Sequence, residues 1–299
     1  MLTQVKLNVE QYSNPSMILF KHSKDLQSHL YDVKNKNFSV GFAPTMGALH
    51  RGHLSLIAQS KKQADLTVCS IFVNPVQFNN REDYEKYPST IERDILSLEE
   101  SGCDILFIPS KNEIYPNAVS KNKKFELGSF ENVLEGKFRP GHFQGVCLVV
   151  EKLLDIIAPS YLFLGQKDYQ QCLVIKKLIS DIMKKNTQVI ISPIIRERNG
   201  LAMSSRNLRL NEQEKKLASQ LHKSLIYIKK NLLPGNFLQL KSKVILKLEK
   251  KGFKVDYLEI ANSRNLEIVQ GSNGHKNLII LIAAFLNNVR LIDNVLVKD

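Results

Sequence analysis

Cysteine is scarce in this chain of 299 residues, and no two cysteines form a Cys-x-x-Cys pair. Cys69, Cys103, Cys147 and Cys172 stand far apart, each in or beside an apolar segment. That spacing excludes a disulfide framework and signals no zinc site. It favours a reducing compartment, so the expected location is cytoplasmic. Long apolar runs are also missing. The longest, Leu278 to Leu286, falls well short of the roughly 20 residues that span a bilayer, so no membrane partner is expected. The opening "MLTQVKLNVEQYSNPS" lacks the apolar centre of a signal peptide. Met17 follows it directly, so residues 1–16 are read as an N-terminal extension, with Met1 and Met17 both candidate starts. Internal repeats and low-complexity tracts are absent as well.

What is present is an ordinary folded composition, 43% hydrophobic and 24% charged, which excludes disorder. The length suits two domains or one large α/β unit. The formal charge of +13 favours anionic partners. Most of that excess is lysine spread along helix faces such as "KSKVILKLEKKGFK", without aromatic interleaving. It therefore reads as a solvated surface, and no nucleic-acid partner is expected.

Strand and helix alternate through the first two-thirds. "NFSVGFAP", "LTVCSIFV", "DILFI", "YLFLG" and "VIISPII" read as strands. "HLSLIAQSKKQA" reads as a helix with Leu54, Ile57 and Ala58 on one face. "TIERDILSLEESG" is a second, with Ser89 and Glu92 as a capping box and Gly102 as its stop. "VCLVVEKLLDII" and "YQQCLVIKKLISDI" follow. Alternation of this kind predicts a parallel sheet with right-handed crossovers. After Arg209 two charged amphipathic helices are expected, "NEQEKKLASQLHKSLIYIKKNL" and "FLQLKSKVILKLEKKG", and then strands. The fold class is thus α/β: a Rossmann-like parallel-sheet domain over 1–192, and a smaller α+β domain over 193–299.

Several stretches carry chemistry. "PTMGALHRGHLSLI", Pro44 to Ile57, follows a strand and opens a helix. The helix end offers free N–H groups and positive dipole to a phosphate. Gly47 and Gly52 let the backbone approach a ligand. His50 and His53 supply hydrogen bonds, the stronger when protonated. "GQKDYQQ" repeats the strand-to-helix arrangement, with Lys167 as a point charge and Gln171 for a polar ligand. "RERNGLAMSSRN" can close over a triphosphate through Ser204, Ser205 and Arg206, and can equally be a linker. Gln77 in "FVNPVQFN" should face the crevice. Asp94 lies beside an apolar stripe and could hold Mg²⁺ near phosphates or compensate a helix dipole. In "FRPGHFQGV", Arg139 and His142 could bind anions.

Together these motifs, with "YP.T...D" from Tyr87 to Asp94 and the closing "RLIDN", resemble one family in content and order: the pantoate–β-alanine ligases, or pantothenate synthetases. The resemblance runs from about Met17 to the end. It implies an ATP-dependent ligase that joins (R)-pantoate to β-alanine through a pantoyl adenylate, giving pantothenate, AMP and pyrophosphate. It implies a Rossmann-like domain closed by a smaller one, as a homodimer. By match of motif, ATP would contact Met46, Gly47, Ala48, Leu49, His50, Arg51, Gly52 and His53. It would also contact Gly165, Gln166, Lys167, Asp168, Ile195, Met203, Ser204, Ser205 and Arg206. His53 matches the catalytic histidine, with His50, Lys167, Ser204, Ser205 and Arg206 expected to act beside it. Gln77 and Gln171 match residues that hold pantoate; Arg139 and His142 are the further substrate candidates. Asp94 matches an acid associated with Mg²⁺. Arg93 stands where some members carry a second acid, which argues against a two-carboxylate site. The alternatives are another nucleotidylyltransferase of the same superfamily, a nucleic-acid-binding module and a non-catalytic homologue.

Overall fold

A computed structural model of the chain describes residues 17–116, 123–270 and 277–297. The N-terminal extension read at 1–16 lies outside the described residues. The first sheet holds β1 (Ile18–Phe20), β2 (Val40–Thr45), β3 (Leu66–Ile71), β4 (Ile105–Phe107), β5 (Tyr161–Gly165) and β6 (Gln188–Ser192). Its order is β1-β4-β3-β2-β5-β6, with every neighbouring pair parallel. The helices of this part are α1 (Ser23–Asn35), α2 (Arg51–Gln63), α3 (Arg81–Glu85), α4 (Ile91–Glu100), α5 (Lys111–Ile114), α6 (Leu134–Phe138), α7 (His142–Ile157) and α8 (Tyr169–Lys177).

Period-two alternation divides the strands between two cores. Phe42, Val68, Ile105 and Phe107 face one way, against α1 and α7. Ala43, Cys69, Leu106 and Phe163 face the other, against α2 and α4. Sheets covered on both faces read as nearly continuous apolar runs, as β3 does. The order of the strands places the site. From β2 the chain steps outward through β3 and β4, then returns to lay β5 and β6 on the other flank of β2. The direction reverses between β2 and β5. Their carboxyl ends open the crevice where open parallel sheets bind ligands.

The C-terminal part packs α9 (Glu212–Ala218), α10 (Gln220–Asn231) and α11 (Phe237–Glu249) on an antiparallel sheet of β7 (Phe253–Asn262), β8 (Leu278–Leu286) and β9 (Val289–Val297). The other face of that sheet, with Tyr257, Ile279 and Leu281, packs on Leu134, Tyr169 and Leu173 of the first part. At this seam the buried Glu135 carboxylate accepts two hydrogen bonds of 2.8 Å from Arg290 and one of 2.9 Å from Tyr257.

Three local expectations are corrected. The helix expected after Arg209 breaks at Ser219, whose hydroxyl donates to the Lys216 carbonyl (2.7 Å) in competition with the backbone. The capping box of Ser89 and Glu92 is not formed. Thr90 caps α4, and its hydroxyl turns to Asp94 instead (3.0 Å). Ala58 is exposed, and the buried face of α2 carries Leu56, Ile57 and Ser60.

Burial alone would raise the pKa of Glu135. The hydrogen bonds and charge of Arg290, with the charge of Arg139 behind them, override it and lower the value from 4.5 to about 2. A depressed carboxyl stabilises the fold above its unfolded pKa, and that stability is lost as pH falls through the folded one. Glu135→Gln should therefore cost about 3 kcal/mol at pH 6. In urea titrations the difference from wild type should shrink between pH 4.5 and 2. A difference independent of pH would contradict this.

Candidate active site

The turn after β2 is built around a buried acid. Thr45 Oγ1 donates to the Ser70 carbonyl (2.8 Å) and accepts from Gly47 N–H (3.2 Å). Gly47 (φ 79°) and Ala48 (φ 48°) are both left-handed, a conformation natural to glycine and strained for alanine. In this turn the N–H groups of Ala48 and Leu49 converge on one point, and such converging amides form an anion-binding concavity. Here its anion is Asp94, 1% exposed, whose two carboxylate oxygens accept from Ala48 N–H and Leu49 N–H at 2.8 Å each.

His50 then caps α2. Its Nδ1 accepts from Gly52 N–H (3.1 Å), while His53 Nδ1 accepts from His50 N–H (3.3 Å). This is a reciprocal capping box made of two imidazoles. Gly52 makes room for it, because a Cβ there would stand 2.8 Å from the His50 ring. The rings stack at 4.0 Å. With Nδ1 accepting in both, each neutral ring carries its proton on Nε2. Both are held neutral: burial, then the charge of Lys167, lowers His50 to about 4, and burial, then His50 and Lys167, pushes His53 well down. The expectation of protonated donors is corrected accordingly. The donors are neutral Nε2–H groups, because the low-dielectric site disfavours a second and third cation beside Lys167.

Opposite this turn, β5 ends at Gly165 and delivers Lys167 and Asp168. A cavity of about 210 Å³ lies between the two strand ends. Lining it are Met46, His50, Gly52 and His53 from the first turn, and Gly165, Lys167, Asp168 and Gln171 from the second. Gln77 joins them, as do Ile195, Met203, Ser204, Ser205 and Arg206 from the segment leading to the C-terminal part. Three motifs, the first more than a hundred residues before the other two, thus share one space.

In the motif "HFQGV" Val146 lines the cavity, and the rest acts indirectly. Gly145 lets α7 approach the turn Pro75–Gln77 so closely that a Cβ would meet the Val76 carbonyl at 2.6 Å. His142 Nδ1–H donates to the Gln77 carbonyl (2.8 Å). Burial first, then the charge of Arg139, lowers His142 to about 3. His142 is therefore a neutral buttress for Gln77, not the anion ligand expected. Arg139 lies outside the cavity, at the seam, with a 3.5 Å contact to Glu135.

Other expected contacts also lie elsewhere. Gly47, Ala48 and Leu49 do not line the cavity, since two of their amides are committed to Asp94. Arg51 is exposed. Gln166 donates to Asn294 Oδ1 (3.0 Å) on β9. Ser205 does line the cavity, but its hydroxyl donates to the Ala48 carbonyl (3.0 Å), fastening the linking segment to the turn. Asp94 does not fit as a magnesium ligand. It is buried, and both its oxygens are already engaged, by two amides and the Thr90 hydroxyl. Among the described residues no cluster of three acidic, histidine or cysteine side chains could hold a metal.

Three residues lining or bracing the site were not singled out from sequence. Asn74, 1% exposed, donates to Gly145 O (3.0 Å) and Gln77 Oε1 (3.1 Å) and accepts from Tyr115 O–H (2.9 Å). The Asn-Pro step in "FVNPVQF" is its signal, since asparagine before proline caps a turn. Tyr87 lines the cavity. Asp83 takes Arg206 and Arg209; it lies in a charged stretch that carries no pattern.

A parallel sheet with donors gathered at its switch point defines a nucleotide-binding type of α/β protein. The chain belongs to the pantoate–β-alanine ligase family, whose model, described as "Pantoate-beta-alanine ligase", matches residues 18–296. It is 45% identical over 284 residues to the pantothenate synthetase of Cytophaga hutchinsonii, covering 94% of this chain and 99% of that one. It is 42% identical over 281 residues to that of Saccharophagus degradans, covering 93% and 98%. Among solved structures, pantothenate synthetase from Thermus thermophilus superposes with a TM-score of 0.83 at 34% identity, covering 95% of this chain and all of that one. The Francisella tularensis ligase, solved with β-γ ATP and β-alanine, gives 0.76 at 38% identity, covering 94% and 98%.

Two outcomes test this geometry. Nitrogen-15 NMR of labelled histidine should find both rings as Nε2–H tautomers at neutral pH, with His50 titrating near 4; a midpoint near 6.5 would contradict the capping box. Asp94→Asn should cost about 1–3 kcal/mol in denaturant. Millimolar magnesium should not raise the melting temperature of the nucleotide-free protein. A rise seen in wild type and lost in Asp94→Asn would restore the metal assignment.

Proposed function

We propose that the chain condenses (R)-pantoate with β-alanine, using ATP, to give pantothenate, AMP and pyrophosphate. The observation that supports this most is the single cavity at the switch point, where the imidazole pair, Lys167 and the Ser204–Arg206 segment converge. Family membership over nearly the whole chain points the same way.

In the first step a pantoate carboxylate oxygen attacks the α-phosphorus of ATP, and the bond to pyrophosphate breaks. The reactants are both anions, so the protein must offset charge and align them. Magnesium brought in with the nucleotide would offset charge on the phosphates, and among the described residues no side chain is assigned to hold it. Lys167 adds a fixed positive charge. The Nε2–H groups of His50 and His53 donate to phosphate oxygens without bringing a titratable proton. Ser204 and Arg206 face the same charge as it grows on the leaving pyrophosphate, and Gln77 and Gln171 hold pantoate. In the second step the neutral amine of β-alanine attacks the acyl carbon and AMP leaves. Water must be kept from the mixed anhydride meanwhile, which suits a site walled on one side by the segment that leads to the C-terminal part. The division at 192/193, a homodimeric assembly and a cytoplasmic location belong to the same reading. Among the described residues no helix is long and apolar enough to cross a membrane.

Exchange of labelled pyrophosphate into ATP should require pantoate and proceed without β-alanine. His53→Ala and Lys167→Ala should each reduce it about 10²–10³-fold, the usual loss for one transition-state donor. Lys167→Ala should leave the melting temperature nearly unchanged, and His53→Ala should lower it only by the roughly 1 kcal/mol of a lost helix cap. Exchange driven by a different acid would favour another nucleotidylyltransferase.

A further inference from the structure

Asp83 has no part in the mechanism above, yet it joins two arginines at the rim of the site. It sits on α3, in the wall segment between Gln77 and Tyr87, both of which line the cavity. Its carboxylate crosses to the linking segment. Oδ2 accepts from Arg206 Nη2 (2.8 Å) and Oδ1 from Arg206 Nε (3.3 Å). Oδ1 also accepts from Arg209 Nη1 (3.1 Å), and Arg209 is tied further to the Asn288 carbonyl (3.2 Å). The three side chains are only a fifth to a quarter exposed.

The geometry of a guanidinium gives this contact its meaning. A carboxylate on the Nε–Nη2 edge fixes the plane of the fork and leaves the Nη1 edge free. Among the described residues Arg206 Nη1 has no hydrogen-bond partner, and Arg206 borders both the cavity and the seam. The Tyr87 ring, 5.5 Å from the Arg206 guanidinium carbon, limits rotation from another side. Charge matters too. Asp83 alone would neutralise Arg206, but with Arg209 the cluster holds two cations and one anion and keeps a net positive charge.

We infer that Asp83 is a positioning residue: it clamps the cavity wall to the linking segment and presents the free edge of Arg206 to the nucleotide. Arg209 shares the carboxylate so that the presentation does not cost Arg206 its field. The inference rests on the reading of Arg206 as a nucleotide contact, and the test separates the two.

The measurement is steady-state kinetics of the pantoate-dependent reaction for Asp83→Asn, Arg206→Ala, the double variant and Arg209→Ala, with melting temperatures alongside. Asn is isosteric and removes only the charge. Outer partners of ligating groups, best measured around metal ions, are worth about 10–100-fold, and Asp83→Asn should lose kcat in that range with KM for pantoate unchanged. It should lose nothing further in the Arg206→Ala background. Arg209→Ala keeps the Asp83–Arg206 pair but removes the cluster's excess positive charge, so it should lose about two- to fivefold in kcat, less than Asp83→Asn. Multiplying losses in the double variant would overturn the inference, as would a matching loss in Arg209→Ala or a rise in KM for pantoate. If Arg206→Ala collapses turnover and Asp83→Asn does not, the inference alone fails. If Arg206→Ala retains turnover, the reading of Arg206 fails and takes the inference with it.

Discussion

The carboxylate of Asp94, buried and bound to the amides of Ala48 and Leu49, is the contact on which the site depends. It lets a strand end in two left-handed residues and hand over at once to a helix. A concavity of backbone amides at such a place commonly receives a ligand's phosphate. In this protein its anion comes from α4, two strands away in the sheet order. The consequence reaches the chemistry. With those amides committed, the donors left at the mouth of α2 are side chains, and the imidazole pair stands at the cap where they are needed.

The same economy runs through the electrostatics. The chain is strongly basic, yet its site does not simply accumulate cations. His50, His53 and His142 are all held neutral by burial and by neighbouring positive charge. Arg206 shares a carboxylate, Arg290 is bound by Glu135 and Asp256, and Arg139 faces Glu135. Lys167, whose contact to Asp168 is a long 3.5 Å, is the least committed cation lining the cavity. A pocket of oriented neutral donors around one loosely paired charge can bind a polyanion without being dominated by repulsion when it is empty.

Much of this was legible in the sequence, and the reasons differ by element. Strands buried on both faces, such as β2, β3 and β5, announced themselves as apolar runs between turns. The α7 positions 146, 149, 150, 153, 154 and 157 kept helical period, and all six are buried. The motifs following β2 and β5 could be assigned to one edge because parallel strands end on the same side. The short edge strand β1 and the polar helix α1 gave no comparable signal: three residues carry no period, and only Leu26 and Leu30 of α1 are buried. Roles within motifs were harder. His142, Asp94 and Ser205 are polar residues in the right neighbourhood, but each spends its polar atoms on backbone groups brought near by tertiary structure. A sequence shows the donor and hides the partner. The pairing of Asp83 with Arg206 spans 123 positions and follows no local pattern.

The central claim is that Asp94 occupies the amide concavity while the imidazoles meet the nucleotide. It is tested most directly by following backbone and imidazole nitrogen signals during titration with ATP and magnesium. The account predicts that the Nε2–H signals of His50 and His53 move, while the amides of Ala48 and Leu49 keep their shifts and their slow hydrogen exchange. Large shifts and faster exchange at those two amides, with the imidazoles unmoved, would mean that phosphate displaces the carboxylate and that the account is wrong.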